Sequence, residues 1–198
     1  MAESSNYYDT HAREYFDSTV NLNQDLEEFI SNLPPDCKVL DAGCGSGRDT
    51  LALIKAGFKV EAFDASPELA ELATKHTGIP VKVLRFQEFH SGFYSGPKYD
   101  GILASASLLH VPQNEIADCV RRLFQALNPG GIFLATFKEG KGTATDSRGR
   151  FFNYFSKEGL HTLFGGIKHL ENLVVKEVSG GSSGGEKTTW LYVYATKH

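Results

Sequence analysis

From Cys37 onward the chain alternates between two hydrophobic rhythms. Short β-rich runs, CKVLDA (37–42), FKVEAFD (58–64), VKVLRF (81–86), YDGILAS (99–105) and GGIFLATF (130–137), each fit a buried strand. Between them, DTLALIKAG (49–57), SPELAELATKH (66–76) and NEIADCVRRLFQALN (114–128) place apolar residues at helical spacing. Strands alternating with helices predict βαβ units and a parallel sheet. The punctuation agrees: Ser66 precedes Pro67 as a cap before a first-turn proline, and Asn114 precedes Glu115 and the series Ile116, Val120, Leu123, Leu127. NPGG (128–131) closes that helix and opens the next strand.

Outside this core the rhythm changes. Helical patterns run from about Tyr7 to Val20 and from Asn23 to Leu33, the second stopped by Pro34 and Pro35. After Phe137 comes a polar, glycine-bearing loop, KEGKGTATDSRGRFFNYF (138–155), then a helix over Lys157–Phe164 capped by Ser156. The stretch 173–197 reads as two strands around a flexible GGSSGG tip (180–185), with alternation over 190–195. No repeat is evident.

Composition narrows the class. A chain of 198 residues, 41% hydrophobic, supports one domain over 1–198. Net charge is −4 and Lys and Arg are scattered, which speaks against nucleic acid as a partner. The N-terminus lacks the basic-then-apolar pattern of a signal peptide, and no apolar run nears the roughly 20 residues that cross a bilayer, so a cytoplasmic protein without a membrane partner is expected. Cys37, Cys44 and Cys119 are odd in number and lack metal-ligand spacing, which predicts reduced thiols and no metal.

Chemistry concentrates in VLDAGCGSGRDT (39–50). Its pattern is GxGxG, with Arg48 where a dinucleotide fingerprint needs its third glycine, and the chain has no P-loop lysine. What remains is a strand-to-helix turn whose bare backbone a ligand can approach. Cys44 inside it is either a nucleophile or simply a small residue. Asp64 ends the second strand, where a carboxylate can accept from both hydroxyls of a ribose, which points to an adenosine-type ligand.

With VLDAGCGSG, VEAFDAS, YDGILASASLLHVP and LNPGGIFLATF in this order over about 37–138, the chain resembles the class I S-adenosylmethionine-dependent methyltransferases. "GRDT" is similar to small stand-alone members of the tellurite-resistance type. The resemblance implies an α/β Rossmann-like fold: a seven-stranded, mostly parallel sheet in order 3-2-1-4-5-7-6, strand 7 antiparallel, with helices on both faces. It implies S-adenosylmethionine as cofactor and S-adenosylhomocysteine as product. Residue by residue, Asp41, Gly43, Cys44, Gly45, Gly47 and Arg48 match the methionine end, and Asp64 and Ala65 the ribose and adenine edge. Phe86 and Gln87 match the adenine site, with Gln87 standing where many members carry an acid. Ala104 and Ser105, which close the fourth motif, match the cofactor site as well.

The leading segment 1–35 resembles a lid in which Tyr7, Tyr8 and Tyr15 shield the sulfonium, Tyr15 also presenting its hydroxyl to cofactor and reaction; tyrosines packing a terminal helix give the same pattern. His110 is a candidate base or orienting group that faces the acceptor, and Tyr7 and His11 on the lid are further candidate acceptor contacts. The insertion 138–156 offers Arg148, Arg150, Phe151, Phe152 and Tyr154 to a small acidic or planar acceptor, or uses them to anchor a solvated loop. The reading expected is in-line methyl transfer to a small molecule by a monomer or weak homodimer. Its alternatives are a non-catalytic S-adenosylmethionine-binding sensor or partner subunit, and an RNA or protein methyltransferase, for which no basic surface is visible.

Overall fold

The computed structural model describes residues 5–21, 26–90, 99–181 and 187–198. The predicted helix start at Asn23 and most of the GGSSGG tip lie outside the described residues.

The helices are α1 (Ser5–Thr10), α2 (Ala12–Thr19), α3 (Glu27–Ser31), α4 (Arg48–Lys55), α5 (Pro67–Thr77), α6 (Ile116–Gln125) and α7 (Lys157–Gly165). The strands are β1 (Lys38–Ala42), β2 (Lys59–Asp64), β3 (Val81–Val83), β4 (Tyr99–Ala104), β5 (Leu127–Glu139), β6 (Thr143–Thr145), β7 (Phe151–Phe155), β8 (Leu170–Gly181) and β9 (Lys187–Lys197). β3, β2, β1, β4 and β5 lie side by side in parallel, and β9 runs antiparallel between β5 and β8. These seven reproduce the expected 3-2-1-4-5-7-6 order.

The sheet has nine strands rather than seven, because the insertion expected as a loop is a β-hairpin. β5 forks at its carboxyl end: Ile132–Lys138 pair with β9, while Lys138 and Glu139 also pair with Tyr154 and Phe155 of β7. The physical reason is local. Asp146 closes the hairpin turn, its Oδ1 accepting from the backbone N–H of Arg148 and Arg150, with Gly149 at φ 81°. β-branched TAT on one side and aromatic FFNYF on the other then form the ladder.

Parallel strands carry their apolar residues to both faces. Leu40, Ile102 and Phe133 pack with α6 and α7 in one cluster; their neighbours Val39, Leu103 and Leu134 join Leu53 and Phe29 in the other. α3 belongs to that second layer. A methyl group on Gly101 would stand 2.9 Å from Leu33 and 3.0 Å from Phe29, so the described second half of the leading segment is core. The first half is two helices rather than the one expected, broken at His11 (φ −116°, ψ 23°). Ser66 and Ser156 cap α5 and α7, accepting from Leu69 N and Gly159 N. α6 starts after Glu115, not Asn114, and no side chain caps it.

Candidate active site

Because β1, β2, β4 and β5 run parallel, the loops after them gather on one edge, where an open sheet places its ligand crevice. A cavity of about 620 Å³ opens there. The glycine loop forms its floor. Gly43 N and Cys44 N both donate to Phe63 O, and Gly45 N donates to Asp64 Oδ2 at 2.8 Å while Ser66 N donates to Oδ1 at 2.9 Å. Asp64 is thus clamped at the end of β2 by backbone donors, the N–H of Ala65 among them. Burial raises its pKa and the backbone donors oppose the rise.

Asp41, next to last in β1, is fully buried, accepting from Thr50 Oγ1 at 2.6 Å. Burial, then the neighbouring Asp49, raise its pKa well above the usual carboxylate range. Arg48 clasps Asp49 through Nε at 2.8 Å and Nη2 at 3.0 Å, so it is a paired, half-buried wall residue rather than a solvated first-turn arginine. Burial first, then Asp41 and Asp64, push the Cys44 thiol up, which makes it a small wall residue and a poor nucleophile.

The three glycines are bare for different reasons. Gly43 and Gly45 line the cavity. A methyl group on Gly43 would overlap Ser107 Cβ at 2.6 Å, and one on Gly45 would stand 3.3 Å from the Tyr15 ring. Gly47 does not line it: its missing side chain admits Thr77 and Ala73 of α5 at 2.8 and 3.1 Å.

α1 and α2 roof the loop. Tyr15 lies over Gly45 and meets Tyr8 edge-on at 5.0 Å. Burial pushes the Tyr15 hydroxyl up to about 12, and Tyr8 also rises, so both stay protonated. Tyr8 reaches across to His110, Oη to Nε2 at 2.9 Å, while His110 Nδ1 meets Phe151 O at 2.7 Å. A carbonyl only accepts, so Nδ1 carries the imidazole proton and Nε2 accepts from Tyr8. Burial pulls His110 down to about 4, so the ring is neutral at physiological pH.

At the end expected for adenine, Phe86, Gln87 and Ala65 line the cavity. Gln87 Nε2 donates to Glu115 at 2.8 Å, leaving its amide oxygen as acceptor. Ala104 is buried in β4 off the wall, and Ser105 is on it.

At the far end Arg150 is on the wall, held by Asp146 through Nε and Nη2 at 2.8 Å. Arg148 is exposed on the hairpin turn, and Tyr154 is off the wall, packed under Gly140. Tyr7 stacks on His11 at 4.5 Å and sits beneath the Arg150 guanidinium at 5.5 Å; neither lines the cavity. Several wall residues went unforeseen: Ser107, Thr136, Lys138, Val178, Trp190 and Tyr192. Cross-strand register assembles the last five, pairing Thr136 with Tyr192, Lys138 with Trp190, and Trp190 with Val178. The one local signal for them is the lone tryptophan in a β run. Among the described residues no three His, Cys, Asp or Glu side chains group at metal-binding distance, and no helix is long and apolar enough to cross a membrane.

Comparison with known proteins follows the same lines. A family described as a methyltransferase domain matches residues 8–173. Magnesium-protoporphyrin O-methyltransferase of Rhodobacter capsulatus is 31% identical over 111 residues, 53% of this chain and 49% of that protein. The chain spans about half the length of the first curated relatives it matches. In fold it is similar to 1,6-didemethyltoxoflavin-N1-methyltransferase of Burkholderia thailandensis, solved with 1,6-didemethyltoxoflavin and S-adenosylhomocysteine, with TM-score 0.71 and 22% identity over 98% of this chain and 84% of that one. It is also similar to TehB of Haemophilus influenzae, with TM-score 0.71 and 19% identity over 97% of this chain and 67% of that one.

Proposed function

The chain belongs to the methyltransferase domain family, and from that premise we propose that it binds S-adenosylmethionine in the cavity above Gly43–Gly47 and methylates a small molecule. The observation that carries this reading is Asp64: a carboxylate on the cavity wall, fixed by backbone donors, one of them from the glycine loop itself, at the strand end where a carboxylate can accept from a vicinal diol. The rest of the donor set fits the cofactor. Asp41 suits an ammonium, the amide oxygen of Gln87 suits an exocyclic amine, and the rings of Tyr8 and Tyr15 suit a sulfonium.

When bound, the cofactor supplies an electrophilic methyl group on a cationic sulfur. The chain's work is then alignment and exclusion of water. Tyr15 closes the roof over Gly45, and His110 turns the Tyr8 proton toward itself while Arg150 donates to the phenol oxygen, which ties the roof to the insertion hairpin. With a low pKa and Nε2 already engaged, His110 acts in this reading as a positioning residue for Tyr8, not as the base that the sequence allowed.

Calorimetry with S-adenosylmethionine and an assay of S-adenosylhomocysteine release test the proposal. Asp64→Asn keeps an acceptor oxygen but removes the charge, and is expected to weaken cofactor binding by about tenfold or more. Undiminished binding by this variant, or none by the native chain, would refute the assignment. Tight binding without turnover across a broad acceptor panel would favour the non-catalytic reading.

A further inference from the structure

The cavity has two chemically different ends. The acids Asp41, Asp49 and Asp64 stand by the glycine loop, and Glu115 stands beside Gln87. Beyond the Tyr8–His110 contact, the ionised wall residues are Lys138, at the fork of β5, and Arg150, on the insertion hairpin. Both cations lie on one ring: Lys138 Nζ is 4.2 Å and the Arg150 guanidinium 5.2 Å from the centre of Phe152. Lys138 Nζ is also 5.9 Å from the Trp190 ring, opposite it in the β5–β9 ladder.

Each position is fixed by the fold. Asp146, on the same hairpin, orients Arg150, and Trp190 Nε1 donates to Gly181 O at 3.2 Å. Lys138 and Arg150 beside the same aromatic ring, with Asp146 behind Arg150 as its partner, give this end of the cavity a cationic face that attracts an anion, which a neutral acceptor would not exploit. His110 senses the same field, its lowered pKa owing to burial first and to Arg150 and Lys138 among the charges.

We propose that this end receives a planar, carboxylate-bearing acceptor, with the anion on Lys138 and Arg150 and the ring against Phe152 and Trp190. The inference rests on the methyltransferase reading and specifies its substrate class.

Trp190 is the only tryptophan of the chain, so its emission reports on this compartment without requiring turnover. The full chain saturated with S-adenosylhomocysteine is titrated with benzoate, 4-hydroxybenzoate and nicotinate, each against its carboxamide. The acids are expected to shift Trp190 emission at concentrations about tenfold or more below the amides. Lys138→Gln is expected to remove that preference and Lys138→Arg to retain it, with the affinity of each variant for S-adenosylhomocysteine measured by calorimetry alongside. Amides that bind as well as acids, acids that leave Trp190 unmoved, or a preference that survives Lys138→Gln would overturn the acceptor inference alone. A chain that binds no S-adenosylhomocysteine would instead overturn the reading beneath it.

Discussion

Replacing Gly43 by alanine separates two reasons for a glycine in this loop. Gly43 sits at φ 77°, and an added methyl would lie 2.6 Å from Ser107 Cβ and 3.1 Å from its Oγ. The left-handed backbone costs a non-glycine residue about 1–2 kcal/mol. The overlap falls far inside the roughly 3.5–4.0 Å of a carbon contact. Ser107 cannot easily retreat, because its hydroxyl donates to Ala42 O at 2.7 Å, so an overpacking cost of about 1–3 kcal/mol is added. Gly43→Ala is therefore expected to lose about 2–5 kcal/mol in urea unfolding, a large part of the roughly 5–15 kcal/mol that holds a domain folded. Gly57 is the control: φ is 93° and nothing lies within 4 Å, so Gly57→Ala meets the backbone cost alone. Ser107→Gly completes a double-mutant cycle, with an expected compensating coupling of about 1–3 kcal/mol. If Gly43→Ala costs no more than Gly57→Ala, or the coupling is zero, the Ser107 contact is not why the position is glycine.

Tyr8→Phe leaves His110 Nε2 without its donor, and is expected to raise the S-adenosylmethionine Kd by about five- to tenfold and to speed amide exchange in residues 5–20, as one lost hydrogen bond in a lid should; unchanged exchange would mean that the bond does not hold the roof. Asp41 has a raised pKa in the free fold, so the free protein should lose stability as pH rises from the ordinary carboxylate range through that raised value. An ammonium bound there restores the charge, so cofactor binding should release a proton and weaken as pH falls below the raised pKa, which calorimetry in buffers of different ionisation enthalpy would register. Cys44, its thiol held protonated by burial and two acids, should resist alkylation by iodoacetamide near pH 8 in the native chain and react once unfolded.

The parts of the fold that were legible are those written locally. Ser66 and Ser156 cap within three residues, and the strand at 37–42 declares itself by an apolar run that needs no distant partner to be recognised. Asp64 was legible for the same reason, standing where a strand ends and a helix cap begins. The glycine loop was legible as a loop but not in its reasons: Gly47 serves the contact of α4 with α5, a packing fact invisible in the spacing GxGxG. The leading segment misled in the opposite way. One amphipathic pattern covers α1 and α2, yet the chain breaks at His11, whose Nδ1 turns back to Tyr7 O at 3.1 Å. The insertion looked polar enough for a loop, and only the Asp146 turn shows why its two arms pair.

What stayed hidden is the end of the cavity proposed for the acceptor, because no segment contains it. Lys138, Trp190 and Val178 are neighbours through two antiparallel ladders whose partners stand as far apart as Lys138 and Trp190 in the chain. Side chains alternate across a strand, so a one-residue slip of β9 against β5 would exchange Trp190 and Tyr192 for Leu191 and Val193, which now sit fully buried in the core. That slip is prevented from the other side of the sheet: Leu191, Val193 and Ala195 must face α6 and α7, and their burial holds the aromatic pair in the cavity. The proposed cofactor end is therefore specified by a loop motif, and the proposed acceptor end by core packing on the opposite face. Substitutions that alter the acceptor without touching the cofactor should accordingly be found at Lys138, Val178, Trp190 and Tyr192, rather than within residues 39–50.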